Sequence, residues 1–315
     1  MIQVDLLLLD GASAGSVGAT VDTIAAANRI TGEESFQLRF IGVPARVTLR
    51  GGLEAHTTPL DAAEPRDLVV VPGLGAATGA EVAARLAESD AIRTIEWLRA
   101  AATGHTEIAA SCTAVFLVAA AGLLHQRRCV TTWWLGTELA ELAPGCHVDV
   151  DEMVVRDGRI WTAGSAFAHI DLVLALMRHF GGAELTDELA HRLILDERTS
   201  QASFLVPAHL AGNDDVVAEL ERFIRANLTE QHTLASLARH SHLSARTLDR
   251  RTRRAVDMSP LQLVQRVRLG RAVHLLRTTT MSLDEIAAAI GLNDANTLHR
   301  LVKRHTGKPP GRLRR

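Results

Sequence analysis

The chain has 315 residues, 47% of them hydrophobic and 22% charged, with a formal net charge of −2. These averages exclude a disordered, collagen-like or coiled-coil chain, and the longest apolar stretch, Ala114 to Leu124 with Gly122 counted in, has 11 residues, well short of the roughly 18–20 a bilayer crossing needs. The near-neutral total hides a division, because residues 1–207 carry a net −11 and residues 208–315 a net +9.

From the start, Met1-Ile2-Gln3-Val4-Asp5 offers no basic residue ahead of Leu6–Leu9 and no small-residue cleavage site, so it reads as a strand and not as a signal peptide. The three cysteines, Cys112, Cys129 and Cys146, have no CxxC spacing; they make neither a disulfide framework nor a cysteine-rich zinc site and fit a reducing cytoplasm. Ile2–Leu9, Leu38–Val43, Leu68–Val71 and Glu107–Ala110 are continuous apolar runs suited to strands covered on both faces. Between them Val17–Arg29, Gly79–Ala87 and Ala91–Ala102 repeat apolar residues at helical spacing. Strands alternating with helices imply βαβ units, hence an α/β doubly wound parallel sheet. Further on, Arg156-Asp157-Gly158-Arg159 reads as a hairpin turn, and Phe167–Phe180 as a helix stopped by Gly181-Gly182. Strand signals end near Ile194, and the breaker-rich segment from Pro207 to Asp215 divides the chain into a domain at 1–206, a linker at 207–216 and an all-α domain at 217–315.

The last hundred residues repeat internally. Leu234, Ala238, Leu243 and Ser244 recur 49 residues later as Leu283, Ala287, Leu292 and Asn293, and Leu248, Arg250, Arg254 and Pro260 recur 50 residues later as Leu298, Arg300, Arg304 and Pro310. Each copy is a short helix, a tight turn and a longer basic helix, with Ser244 and Asn293 as N-caps and Gly291 in the second turn. Leu261–Arg277 is long enough to join the two copies. These are two helix-turn-helix units in a basic region, which points to double-stranded DNA, the second helix of each unit entering the major groove. The candidate DNA contacts are Arg246, Thr247, Arg250 and Arg251 in the first unit and Asp294, Asn296, His299, Arg300 and Lys303 in the second, those nearest the helix start facing base edges and the later cations facing phosphates. Ile286-Ala287, Gly291-Leu292, Arg300, Lys303-Arg304, Gly307 and Pro310, together with Arg268-Leu269, Ala272 and Leu275-Leu276, resemble the signature and linker helix of the AraC/XylS family of transcription regulators over about residues 217–315.

In the first two hundred residues the strand at Glu107 leads into Cys112, Thr113 and a helical run from Ala114. A cysteine at such a strand-to-helix turn meets backbone N–H groups that lower a thiol pKa and can bind an anion; it suits a nucleophile or a ligand contact, and equally a small residue that packs like a hydrophobe. Val70-Val71-Pro72-Gly73-Leu74-Gly75 ends another strand in a glycine-rich loop aimed at the same crevice, at the C-terminal ends of the strands. Gly73, Gly75 and Gly79 do not make a dinucleotide fingerprint, so no cofactor is implied. His105, His125 and His169 have no metal-ligand spacing, so no metal is implied either.

Pro72-Gly73, the elbow at Cys112, Ala121-Gly122-Leu123-Leu124, Trp134 and Thr162-Ala163-Gly164 ahead of Asp171 resemble the ThiJ/PfpI group of the class I glutamine-amidotransferase-like superfamily from Ile2 to about Leu195. That domain ahead of an AraC-type pair is the architecture of GlxA-like regulators. The resemblance implies a flavodoxin-like fold and a sensor for a small molecule, an amino-acid or quaternary-amine metabolite, held by Ser13, Gly73, Leu74, Cys112, Thr113 and Trp133. Enzymes of the superfamily pair the cysteine with an acid and often a histidine; here Asp10–Gly15 lacks Glu, and Trp133 stands where many relatives have His, which argues against catalysis. The expectation is a cytoplasmic, homodimeric, effector-responsive regulator that meets RNA polymerase if it activates. A Cys112-dependent hydrolase or amidase with a DNA-binding appendage is the alternative, and an oxidant sensor acting through Cys112 is a third.

Overall fold

The computed structural model describes residues 1–196, 198, 200, 201, 214–256, 258–306 and 309–314. The chain divides into two compact units, Met1–Thr199 and Ser200–Arg315. Most of the expected linker, 207–213, and the expected Gly307 lie outside the described residues.

The first unit runs β1 (Ile2–Leu7), α1 (Ala14–Thr31), β2 (Phe36–Gly42), β3 (Arg46–Thr48), β4 (Glu54–His56), β5 (Thr58–Pro59), β6 (Leu68–Val71), α2 (Gly79–Leu86), α3 (Ser89–Ala101), β7 (Glu107–Ser111), α4 (Val115–Ala120), β8 (Arg128–Cys129), α5 (Gly136–Leu142), β9 (His147–Val148), β10 (Val154–Asp157), β11 (Ile160–Ala163) and α6 (Ala168–Arg192). Seven strands form one sheet in the order β10-β11-β7-β6-β1-β2-β5, parallel throughout except for the edge strand β10. The apolar run at the N-terminus serves both faces. Val4, Leu6 and Leu8 join the core with α1 and α6, while Leu7 and Leu9 join the opposite core with Val82, Leu98 and Phe116, which is what period-2 side-chain alternation requires of a covered strand. Asp5 is the polar exception at 0% exposure, and its register partner Arg39 pairs with it at 2.8 and 2.9 Å.

Three details differ from the expectation. The hairpin β3–β4 and the two-residue β5, β8 and β9 carry too few residues to show a period. The β10–β11 turn is tighter than Arg156–Arg159, because Asp157 and Ile160 already pair and Gly158 takes φ +62°. The glycine pair ends one helical segment without ending the helix: Gly182 (φ 86°, ψ 172°) breaks α6, which then resumes to Arg192.

The second unit contains α7 (Asp215–Ala226), α8 (Leu234–His240), α9 (Ala245–Val256), α10 (Pro260–Thr278), α11 (Leu283–Ala289), α12 (Ala295–Thr306) and α13 (Pro310–Leu313). Helix α7 starts inside the span read as linker, capped by the Asp214 side chain, which accepts from the N–H groups of Val216 and Val217. Capping boxes at Thr233/Ser236, Ser259/Gln262 and Ser282/Glu285 open α8, α10 and α11. The Ser244 hydroxyl caps α9, accepting from Thr247 N–H at 3.1 Å. The equivalent cap of α12 is Asp294 and not Asn293: its carboxylate accepts from Thr297 N–H at 2.7 Å. Asn293 is thus the residue inserted in the second turn, and it changes the repeat spacing from 49 to 50. The turn residues match too, His242 at φ +53° and Gly291 at φ +72°.

Candidate functional site

In the first unit the elbow follows from β7 ending at the C-terminal edge of the sheet. Cys112 sits at φ +54°, the left-handed region that costs a non-glycine residue about 1 kcal/mol, and its N–H donates to the Gly164 carbonyl at 2.8 Å. A Cβ on Gly73 would lie 3.1 Å from the Cys112 Cβ and 3.6 Å from Sγ, so glycine there is what lets the β6–α2 loop reach the thiol. Ser13 N–H donates to the Gly73 carbonyl (2.9 Å), and Leu74 N–H donates to the Thr113 hydroxyl (3.1 Å). Ser13, Gly73, Leu74, Cys112 and Thr113 are therefore brought together. Trp133 follows on the segment whose Thr131 hydroxyl donates to the Cys112 carbonyl (2.8 Å); it is 8% exposed and meets the Trp134 ring edge-on at 5.0 Å. The sequence did not single out Thr132, which hydrogen-bonds the thiol, or Arg50, whose charge bears on it. Arg50 arrives in the β3–β4 hairpin, and its guanidinium donates to the Gly75 carbonyl at 2.7 Å.

The expected depression of the thiol pKa is corrected here. Burial pushes Cys112 up, and the hydrogen bonds from Thr113 and Thr132 and the Arg50 charge offset only part of that shift. The stretch after Cys112 is a 3₁₀ turn followed by six helical residues, too short to present a strong dipole. Of the two acids the sequence pointed to, Asp10 accepts from Thr48 N–H at 2.7 Å, and Asp171 pairs with Arg198 at 2.5 Å.

Behind the elbow His169 is wholly buried between two hydroxyls, with Nδ1 2.8 Å from Ser111 Oγ and Nε2 2.7 Å from Thr20 Oγ1. The Thr20 hydroxyl already donates to the Ser16 carbonyl, so Nε2–H donates to Thr20 and Nδ1 accepts from Ser111. Burial lowers this imidazole from 6.5 to about 4. The folded state therefore keeps His169 neutral while the unfolded chain takes up a proton, and stability present above pH 6.5 is lost as pH falls towards 4, by about 3 kcal/mol in all. Urea midpoints of the tryptophan signal should fall over that window in the natural chain, and His169→Gln should remove this part of the slope. An unchanged slope would assign the loss to carboxylates.

In the second unit α9 buries Leu248, Thr252 and Val256, and α12 buries Leu298, Val302 and Thr306. Arg246, Arg250, Arg253 and Arg254 are exposed on the outer face of α9, and Asn296, Arg300, Lys303 and Arg304 on that of α12. Other expected contacts are engaged within the unit. Arg251 forms a two-pronged ion pair with Asp214 at 2.8 and 2.9 Å. The hydroxyl of Thr247 meets Ser244 at 2.8 Å. Asp294 caps α12, which holds its carboxyl below the usual range. His299 is half-buried on the flank.

Comparison with known proteins agrees with both units. The DJ-1/PfpI family model matches residues 17–179, and a model described as a helix-turn-helix domain matches residues 237–315. The chain belongs to the DJ-1/PfpI family and carries an AraC-type helix-turn-helix region behind that domain. Among its relatives, the HTH-type transcriptional regulator GbdR of Pseudomonas aeruginosa is 27% identical over 98% of this chain and 83% of its own length. An isonitrile hydratase of Pseudomonas putida is 32% identical over 44% of this chain and 56% of its own length. The crystal structure of an AraC family transcriptional regulator from Pseudomonas putida superposes with a TM-score of 0.53 at 23% identity, covering 61% of this chain and 100% of that one, which shows the fold. Among the described residues no helix is long and apolar enough to cross a membrane.

Proposed function

We propose that the chain is a cytoplasmic, homodimeric transcription regulator whose two helix-turn-helix units bind DNA and whose first unit binds a small effector that alters that binding. The observation that carries the reading is the pair of exposed stripes on α9 and α12, seven cations and one amide at matching positions, in a region of net positive charge. A dimer would offer four such helices, and a regulator that activates would also contact RNA polymerase. The effector is held in the crevice of Ser13, Gly73, Leu74, Cys112, Thr113 and Trp133. Its class is an amino-acid or quaternary-amine metabolite: Arg50 supplies positive charge for a carboxylate, and an indole face can hold a quaternary ammonium. Cys112 serves as a ligand contact, since its thiol is buried, protonated at neutral pH and hydrogen-bonded to hydroxyls instead of to a base.

The test is an anisotropy titration of the full chain against its own upstream DNA with competitor present at two salt concentrations, followed by thermal melts with candidate effectors. Specific, salt-sensitive binding and a ligand-dependent rise in Tm without turnover are expected. The left-handed backbone at Cys112, usual for a nucleophile elbow, favours a second reading, a Cys112-dependent hydrolase or amidase. That reading requires measurable turnover abolished by Cys112→Ser. An oxidant sensor would instead show DNA affinity altered by peroxide and restored to indifference by the same variant.

A further inference from the structure

The two recognition helices align residue for residue at a spacing of 50 once Asp294, and not Asn293, is taken as the cap. Leu248 and Leu298 are both 0% exposed, Thr252 and Val302 are both 0%, and Val256 and Thr306 are 3% and 8%, so the same face of each helix is buried. The outer faces then pair as Arg246 with Asn296, Arg250 with Arg300, Arg253 with Lys303 and Arg254 with Arg304. Three of these four places keep a cation in both copies. The remaining one, second residue of each helix, exchanges a guanidinium for a neutral amide. Among the described residues neither Arg246 nor Asn296 is engaged: neither side chain makes a hydrogen bond or ion pair.

A phosphate is the same at every base pair, so a contact to it asks only for positive charge, whereas a base edge asks for a particular donor and acceptor pattern. The places that stay cationic fit the first demand. The place nearest the helix start, where such helices approach base edges, is the one whose chemistry changes. A guanidinium matches the O6 and N7 acceptors of guanine, and a carboxamide matches the N7 acceptor and N6 donor of adenine. Resting on the DNA-binding reading above, we infer that Arg246 and Asn296 are the base-discriminating residues of the two units, Arg246 selecting guanine and Asn296 adenine, and that the three cationic pairs anchor the backbone. The operator segment under one protomer is consequently asymmetric, with a guanine in one major-groove block and an adenine in the next, about one helical turn away.

The experiment is selection by the full-length protein from a pool of randomised duplexes, compared with Arg246→Ala, Asn296→Ala, Arg246→Asn and, as a backbone control, Arg254→Ala. The natural chain should enrich a guanine and an adenine in separate blocks, each preferred about 10- to 100-fold over the other bases. Each alanine variant should flatten the preference at its own position alone. Arg246→Asn should turn the guanine into an adenine, and Arg254→Ala should weaken every sequence alike. A natural-chain motif that survives Arg246→Ala and Asn296→Ala with its base preferences intact would overturn the assignment and leave DNA binding standing. A pool that the natural chain does not enrich at all would overturn the DNA-binding reading beneath it. Both residues are exposed, so unchanged far-UV circular dichroism of the variants separates a reading defect from misfolding.

Discussion

Replacing Gly291 by valine is expected to destabilise the second unit by about 3 kcal/mol or more while leaving the first unit untouched. Gly291 holds φ +72°, and a Cβ built there would stand 2.3 Å from the Leu228 carbonyl oxygen, 2.9 Å from Thr229 Cα and 2.8 Å from the Arg268 guanidinium. Two of those neighbours are backbone and cannot step aside. The third is held in place: Arg268 is 7% exposed and donates to the Leu228 and Glu230 carbonyls at 3.1 and 2.9 Å. A β-branched residue adds its own penalty in the left-handed region. The two units can be watched separately, because the four tryptophans, Trp97, Trp133, Trp134 and Trp161, lie in the first unit and the chain has no tyrosine. In urea, part of the helical circular dichroism of the variant should be lost at lower concentration than in the natural chain, with the fluorescence midpoint unmoved. Coincident and unshifted curves would mean that the turn yields, and that the contact of Gly291 with Arg268 is not tight.

The second large effect concerns DNA. Arg250→Ala and Arg300→Ala should each weaken binding about tenfold across all sequences and reduce the slope of log K against log salt by about 1, and the double variant by about 2. Both guanidinium groups are exposed and occupy the same place on equivalent helices; Arg300 reaches the Thr297 hydroxyl at 3.4 Å and its charge is felt by the Asp294 carboxylate. Arg251→Ala provides the contrast. Its guanidinium is committed to Asp214, the cap of α7, so its loss should appear in the melting of the second unit and leave the salt slope nearly unchanged. Equal salt slopes for the natural chain and the double variant would remove Arg250 and Arg300 from the phosphate contacts.

Much of this was legible in the sequence, for physical reasons. Leu6–Leu9 and Leu68–Val71 are long enough and apolar enough that only a covered strand can use them, and the repeated alanine, turn and cap of the C-terminal copies carry their own geometry. What escaped is equally instructive. The β3–β4 hairpin has three residues a side, so no period announced it, and Arg50 reached the crevice unforeseen. Asn293 and Asp294 are both competent caps, and only the hydrogen bond to Thr297 distinguishes them. Gly181-Gly182 signalled a break correctly, yet nothing local told that the helix would resume. The helix that follows Cys112 argues for a lowered thiol pKa, whereas the direction is set by how deeply the tertiary fold encloses the thiol, which no local pattern encodes.

The turn residues His242 and Gly291 bear on how the duplicated halves can evolve. The first copy tolerates a side chain at its left-handed position because it stands in solvent; the second copy forbids one because the α7–α8 loop and Arg268 press against it. The halves are therefore interchangeable in fold but not in sequence. A recombinant that copied the first half over the second would bring histidine into a space with no room for it, while the reverse exchange would bring in a glycine that its site accepts. At this turn, copying one half over the other is therefore accommodated in one direction only, from the second half onto the first.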